Sequence, residues 1–166
     1  MTAGLPPFQE VVDRHGHDVL RVCIAVAGPA AADDCYQDTM LAALGAYPRL
    51  RDPDVVRSWL LTIASRKAVD GFRAAARAVP VAEPDLGGAE DAAPPDEALW
   101  AQVRALPPKQ RLAVAYRFVL DLPYREIAAA MDTSEEAARR NVHEGLKRLR
   151  EDSTGRPDPV VAACAH

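Results

Sequence analysis

Apolar residues recur at helical spacing along most of this chain. Residues 8–27 place Phe8 and several valines on one face, and the pattern stops at Gly28 and Pro29, a pair that ends helices. The same period continues in four further segments: 31–46, 54–77, 98–106 and 109–121. The pattern therefore predicts a chain of helices rather than strands.

The segment 31–46 predicts a helix with two contrasting faces. Its expected inward residues are Cys35, Met40, Leu41 and Leu44, and its expected outward residues are Asp33, Asp34, Gln37 and Asp38. The following residues 47–54 contain two prolines and four charges, which predict a loop. In the next helix Trp59 falls at helical spacing, so we expect it in the core rather than on the surface as a stacking platform for a base.

Residues 122–150 predict a helix-turn-helix. One apolar stripe consists of Leu122, Ile127, Ala128 and Met131, and a second consists of Ala137, Ala138, Val142, Leu146 and Leu149. Between the stripes, Asp132, Thr133 and Ser134 are capping residues, and the carboxylates that follow suit the positive end of a helix. The outward face of the second helix carries Arg139, Arg140, His143, Lys147, Arg148 and Arg150. Such a face suits phosphates and base edges in a major groove, although a solvated charged face has the same pattern.

Composition supports an all-α fold and adds an uneven distribution of charge. The 166 residues are 49% hydrophobic but only 5% aromatic, which is enough for packed cores and favours helices. The net charge of −4 alone would argue against a nucleic-acid binder. However, residues 78–97 hold six carboxylates and no Lys or Arg, whereas residues 139–150 hold five Lys or Arg and one Glu.

The acidic stretch also divides the chain. Residues 78–97 contain prolines, the pair Gly87 and Gly88, and no helical period, so they predict a flexible linker. We therefore expect two small helical domains, residues 1–77 and 98–152, and a frayed tail, residues 153–166. No apolar run is long enough for a membrane span and no signal peptide is recognisable, which predicts a cytoplasmic protein. The odd number of cysteines, three, predicts reduced thiols rather than a disulfide framework.

Four segments in this order resemble an extracytoplasmic-function sigma factor, the compact bacterial initiation factors built from regions 2 and 4. In the first half, ADDCYQDTMLAAL is similar to the family's D-[LV]-V-Q-[ED]-[TA]-F segment, and RSWLLTIASRKAVDGFRA to its R-A-W-L-x-x-I-A-x-N-x-A-x-D-x-x-R segment. In the second half, the segments beginning LPPKQR and LPYREIAAAM resemble L-P-x-x-Q-R and [SP]-Y-x-E-I-A. The match covers nearly the whole chain.

The resemblance implies three sets of site residues. It assigns docking to the largest polymerase subunit to Asp34, Gln37 and Asp38. Recognition of the −10 element falls to Tyr47, Arg49, Arg51, Arg57, Arg66 and Lys67. Recognition of the −35 element falls to Ser134, Arg139, Arg140, His143, Lys147 and Arg148. The chain departs from the family pattern at Arg66, where many relatives have Asn, and at Ala137, Arg140, Asn141 and Glu144.

The implied partners are core RNA polymerase and promoter DNA, with an anti-sigma factor as a further candidate, and the resemblance implies no cofactor, no metal and no catalysis by this chain. Twenty linker residues span about 25 Å on average, whereas promoter elements some 17 base pairs apart lie roughly 60 Å from each other, so polymerase must hold the domains apart. Two alternatives stay open. One is a helix-turn-helix regulator that does not act through polymerase. The other is a thiol or metal sensor that uses His15, His17, Cys23 and Cys35.

Overall fold

Residues 4–78 and 95–154 are described by the computed structural model, and they form helices joined by short connections. No strand occurs in these two ranges, which confirms the all-α prediction. None of the helices in these ranges is both long and apolar enough to cross a bilayer. The helices are α1 (Phe8–Ala27), α2 (Pro29–Ala46), α3 (Val56–Arg77), α4 (Pro95–Ala105), α5 (Pro108–Val119), α6 (Tyr124–Met131) and α7 (Glu135–Thr154).

The connection between α1 and α2 is a single residue. Gly28 adopts φ 83°, a left-handed conformation that favours glycine, and Pro29 then starts α2 without needing a backbone N–H partner. A Cβ on Gly28 would lie 3.2 Å from Cδ of Arg104 on α4. Glycine therefore permits both the tight turn and the close approach of α4.

The packed face of α2 differs from the prediction. Small residues are fully buried against α1 and α3, namely Ala32, Thr39 and Ala43. Cys35 and Met40 pack at the edge of the core, but the inward placement of Leu41 and Leu44 was wrong, since they are 68% and 52% exposed. Helical spacing identified apolar positions on this helix without showing which of them another helix covers.

One hydrophobic core runs through both halves of the chain. Buried residues of α1 and α3, such as Val19 and Leu60, belong to the same cluster as Leu112 of α5 and Ile127 of α6. Helix α3 packs on α6, and α1 packs on α5 and α4. The two helical units therefore form one closed body.

Two predicted segments lie largely outside the described residues, namely the acidic linker 78–97 and the tail 153–166. At their borders the helices extend further than the pattern suggested. Helix α4 starts at Pro95 and α7 continues to Thr154.

Candidate polymerase and promoter interfaces

Helices α6 and α7 meet at a turn of three residues. Asp132 ends α6 in the left-handed conformation with φ 52°, and the N–H of Thr133 donates to the carbonyl of Ala128 at 3.0 Å. Ser134 Oγ then accepts from the N–H of Ala137 at 3.1 Å, which confirms Ser134 as the cap of α7. These bonds set the angle between the two helices, and the buried stripe of α7 holds it.

The buried stripe of α7 depends on a glycine. Ala138, Val142 and Leu149 are buried, as predicted. At Gly145 a Cβ would lie 2.8 Å from Cγ2 of Val114 on α5, so only glycine allows the two helices to approach this closely. The opposite face of α7 consequently points away from the body.

All six residues predicted to read the −35 element are exposed: Ser134, Arg139, Arg140, His143, Lys147 and Arg148. Arg139 pairs with Glu135 at 3.2 Å and lies 4.9 Å over the ring of Tyr124. Arg140 pairs with Glu136 at 3.1 Å. Exposed pairs four residues apart contribute only about 0.3–0.5 kcal/mol, so phosphates or bases can replace these carboxylates at little cost.

The residues predicted for the −10 element fall into separate places. Arg49 and Arg51 are exposed in the segment between α2 and α3. That segment was predicted as a loop and contains two short 3-10 turns, Tyr47–Arg49 and Pro53–Val55. Arg57, Arg66 and Lys67 all belong to α3; Arg57 lies in its first turn, directly after this segment, whereas Arg66 and Lys67 lie further along the helix.

Tyr47 lies in the core rather than on the surface. It is 9% exposed, and its hydroxyl donates to the carbonyl of Pro6 at 2.6 Å. Its ring contacts Phe8 edge-on at 5.2 Å and lies 6.0 Å from Trp59, which packs at the edge of the core. In this arrangement the ring of Tyr47 fixes the start of the chain against α3 and does not offer a face to a base.

The basic residues of α3 face the second half of the chain. Arg57 pairs with Asp18 of α1 at 3.2 Å and with Glu126 of α6 at 3.4 Å, and Arg66 lies 4.0 Å from Asp132. Between α3 and the helix-turn-helix lies a cavity of about 480 Å³ whose cationic lining consists of Arg66, Arg73, Lys109 and Arg140. Two predicted −10 residues thus face carboxylates of the helix-turn-helix unit, while Arg57 and Arg66 keep 38% and 68% of their side-chain surface exposed.

The predicted polymerase-binding residues share an exposed face of α2. Asp34, Gln37 and Asp38 are all exposed, and at helical spacing the exposed Leu41 and Leu44 continue the same face. We call these five residues the α2 face. It therefore combines carboxylates with an apolar patch that no other described helix covers.

Hydrogen bonds across the two halves were not predicted from the sequence. Tyr116 of α5 is fully buried; its hydroxyl donates to the carbonyl of Leu61 at 2.8 Å and accepts from Ser65 Oγ at 2.6 Å. Burial raises the pKa of Tyr116 well above its usual range. Arg111 donates to the carbonyl of Val26 at 3.2 Å. These contacts join residues more than fifty positions apart, and no local motif marks them.

The structure gives no support to a metal sensor. Among residues 4–78 and 95–154, no group of three or more His, Cys, Asp or Glu side chains lies close enough to hold an ion. Cys23 and Cys35 contact each other. The pKa of His15 is lowered, mainly by burial and to a smaller extent by the charges of Arg14 and Arg57. These effects disfavour a positive charge on the His15 imidazole, and Asp18 partly opposes them.

Both halves of the chain are similar to known proteins. The model of Sigma-70 region 2 matches residues 11–78, and that of Sigma-70, region 4 matches residues 96–149. The ECF RNA polymerase sigma factor SigD of Mycobacterium tuberculosis is 33% identical over 172 residues, which cover 94% of this chain and 78% of SigD. SigE of Mycolicibacterium smegmatis is 29% identical over 161 residues, with 90% of this chain and 62% of SigE covered. The solved sigma factor RpoE of Bartonella quintana, in complex with the anti-sigma factor NepR, shares the fold with a TM-score of 0.68 and 18% identity, covering 90% of this chain and 98% of RpoE.

Proposed function

The chain belongs to the extracytoplasmic-function RNA polymerase sigma factors, and we propose that it binds core RNA polymerase through α2 and positions it on promoters. Region 4, with α7, reads the −35 duplex. Region 2, with α3 and the segment before it, holds the melted −10 strand. The polymerase performs the phosphodiester chemistry, so this chain acts by binding alone.

The exposed α2 face is the main support for the proposed contact with polymerase. Leu41 and Leu44 are exposed one helical turn apart, at 68% and 52%, and they lie beside carboxylates that can accept charge-assisted bonds from Arg on a partner. Carboxylates around an apolar centre match the usual anatomy of a protein interface. We expect Leu41 to contribute more binding energy than the acidic residues at the rim.

The test is the affinity of purified variants for core polymerase, followed by run-off transcription from genomic promoter fragments. Leu41→Asn should weaken binding at least tenfold and reduce run-off product at a limiting concentration of the variant. Ile24→Asn is the matched control, because Ile24 is also an exposed apolar residue, 42% accessible, but lies on α1. Equal affinities of the two variants would reject the α2 face as the docking surface.

Run-off transcription also separates the proposal from a regulator that does not use polymerase. Transcripts that start only when this protein is added to core enzyme support a sigma factor. A protein that binds promoter duplex but neither binds nor activates core enzyme would be a helix-turn-helix regulator instead.

The −10 contact requires the closed body to open. Arg57 and Arg66 lie beside Glu126 and Asp132 of region 4, so a DNA strand that follows this side of α3 would meet those carboxylates until region 4 moves away. Arg49 and Arg51 are exposed without any such movement. We therefore leave the buried Tyr47 out of the proposed DNA surface and assign the first contacts to Arg49 and Arg51.

An anti-sigma factor is a further proposed partner. RpoE, which shares this fold, was solved with the anti-sigma factor NepR. Ile24 and Phe118 are exposed apolar residues that line one groove, and such a groove suits such a protein. A candidate anti-sigma factor should prevent binding to core polymerase when mixed with this chain, and Phe118→Ser should reduce that inhibition.

A further inference from the structure

Two cysteines of region 2 touch across α1 and α2. Cys23 Sγ donates a hydrogen bond to Cys35 Sγ at 3.4 Å, and both thiols are free. Cys23 is 1% exposed, whereas Cys35 is partly accessible. The single-residue turn at Gly28 brings the two helices side by side, so the contact is part of the hairpin rather than a chance approach of loops.

We propose that Cys23 and Cys35 are a redox-active dithiol that a hydroperoxide converts reversibly to an intramolecular disulfide. The Cys35 thiolate attacks the distal oxygen of the hydroperoxide ROOH, which breaks the O–O bond, gives a sulfenic acid on Cys35 and releases ROH. The thiol of Cys23 then attacks that sulfur, forms the S–S bond and releases water. In balance, two thiols lose two electrons and two protons, and ROOH is reduced to ROH and water.

The surroundings assign the first step to Cys35. Cys35 lines a cavity of about 470 Å³ through which a small neutral oxidant can approach it; the charged residues of the wall are Lys67, Arg104, Arg111, Asp34, Asp38 and Asp70. The hydrogen bond from Cys23 lowers the pKa of Cys35, while burial and Asp38 oppose the shift. The same bond and burial raise the pKa of Cys23 far above its usual range. The accessible sulfur is thus the better thiolate, and the buried one is placed to resolve it.

The distance is short enough for the second step. The two sulfur atoms must approach from 3.4 Å to about 2.05 Å, a closure of roughly 1.3 Å that side-chain rotation and a small shift of the hairpin can supply. The bond would tie α1 to the helix that carries Asp34, Gln37 and Asp38. Formation of the disulfide does not depend on what that helix binds, so the proposal can be tested without polymerase.

The experiment uses the full chain in its natural form and as Cys164→Ser, which leaves only the proposed pair. Reduced, folded protein is exposed to hydrogen peroxide, quenched with an alkylating agent under denaturing conditions and digested for mass spectrometry. We expect Cys23 and Cys35 to lose reactivity together, to appear in one cross-linked peptide pair, and to be restored by dithiothreitol. In Cys23→Ala, Cys35 should instead be trapped by dimedone as a sulfenic acid.

Two results would overturn the proposal. One is that both thiols remain open to alkylation after an exposure that fully oxidises N-acetylcysteine in the same tube. The other is that the natural chain forms a disulfide between Cys164 and one of these two cysteines, and none between Cys23 and Cys35. Circular dichroism before and after oxidation verifies that the protein is folded when the bond forms.

Discussion

Tyr116→Phe removes one oxygen atom from the centre of the contact between the two regions. The hydroxyl of Tyr116 donates to the carbonyl of Leu61 and accepts from Ser65, and the residue is fully buried. The ring of the variant would keep its apolar contacts. The change therefore isolates two hydrogen bonds between α5 and α3.

The expected loss of stability depends on whether the two partner groups can still form other hydrogen bonds. The carbonyl of Leu61 keeps its bond within α3, and the hydroxyl of Ser65 can turn to a carbonyl of its own helix. Neither partner is left fully unsatisfied, so the cost should lie near the lower part of the range for buried polar groups, about 1–2 kcal/mol. That corresponds to a factor of about 5–30 in the equilibrium between the closed and separated arrangements.

Urea unfolding and small-angle scattering measure the two consequences. Tyr116→Phe should lower the free energy of unfolding by the stated amount and increase the fraction of extended molecules. Tyr124→Phe is the control, since Tyr124 is partly exposed beside Arg117 and Arg139 and should change stability by less than about 0.5 kcal/mol. Equal stability and equal scattering profiles of the two variants would show that the Tyr116 hydroxyl does not stabilise the contact between α5 and α3.

Three further predictions concern DNA reading, pH and packing. Arg139→Ala should relax sequence preference on −35 duplexes by about 1–3 kcal/mol, whereas Lys147→Ala should weaken all sequences evenly and lower the salt slope; equal losses on all sequences in both variants would contradict the assignment. The pKa of His15 is lowered from 6.5, chiefly by burial, so its stabilising contribution is present above pH 6.5 and declines as the pH falls below that value. His15→Gln should therefore lose less stability than the natural chain between pH 7.5 and pH 5 in urea titrations, and a pKa at or above 6.5 by NMR would contradict this. Gly145→Ala should lower the melting temperature because the new Cβ would lie 2.8 Å from Val114. Gly71→Ala is the control and should raise the melting temperature, because its Cβ would have nothing within 4 Å and alanine favours a helix. The opposite order of melting temperatures in calorimetry would contradict this prediction.

The sequence was informative where local chemistry decides the structure. Gly28 with Pro29 marked the end of α1 because glycine tolerates its positive φ and proline its missing N–H. Ser134 marked the start of α7 because its hydroxyl can accept from the backbone two or three residues ahead. The exposed basic face of α7 followed from spacing once the buried stripe was identified.

The sequence was misleading where contacts with residues distant along the chain decide which side chains are buried. Leu41 and Leu44 were placed inward by their hydrophobicity, but the buried face of α2, which packs on α1 and α3, consists of small residues such as Ala43. Thr39 is buried because its hydroxyl donates to the carbonyl of Cys35 at 2.7 Å and so satisfies itself within the helix. The bond between Ser65 and Tyr116 spans 51 positions, and no periodicity predicts it.

The closed arrangement of the two regions is incompatible with simultaneous contact to both promoter elements. The regions must therefore separate during promoter binding. Elements 17 base pairs apart are separated by roughly 60 Å, and residues 78–94, the stretch between α3 and α4, reach about 60 Å only when fully extended. The ion pairs of Arg57 and Arg66 are weak, at about 0–1 kcal/mol each, because both side chains are more than a third exposed. The apolar core and Tyr116 therefore provide most of the resistance to opening.

The α2 face and the basic face of α7 are free of the other described helices while the body is closed, whereas Arg57 and Arg66 face carboxylates of region 4. Polymerase can thus dock before the regions separate, and its binding energy can then offset the lost interface. On this order, the isolated chain should bind −35 duplex but should bind single-stranded −10 DNA only weakly. Tyr116→Phe should strengthen the second interaction without affecting the first, because the hydroxyl lies in the interface and far from the exposed face of α7.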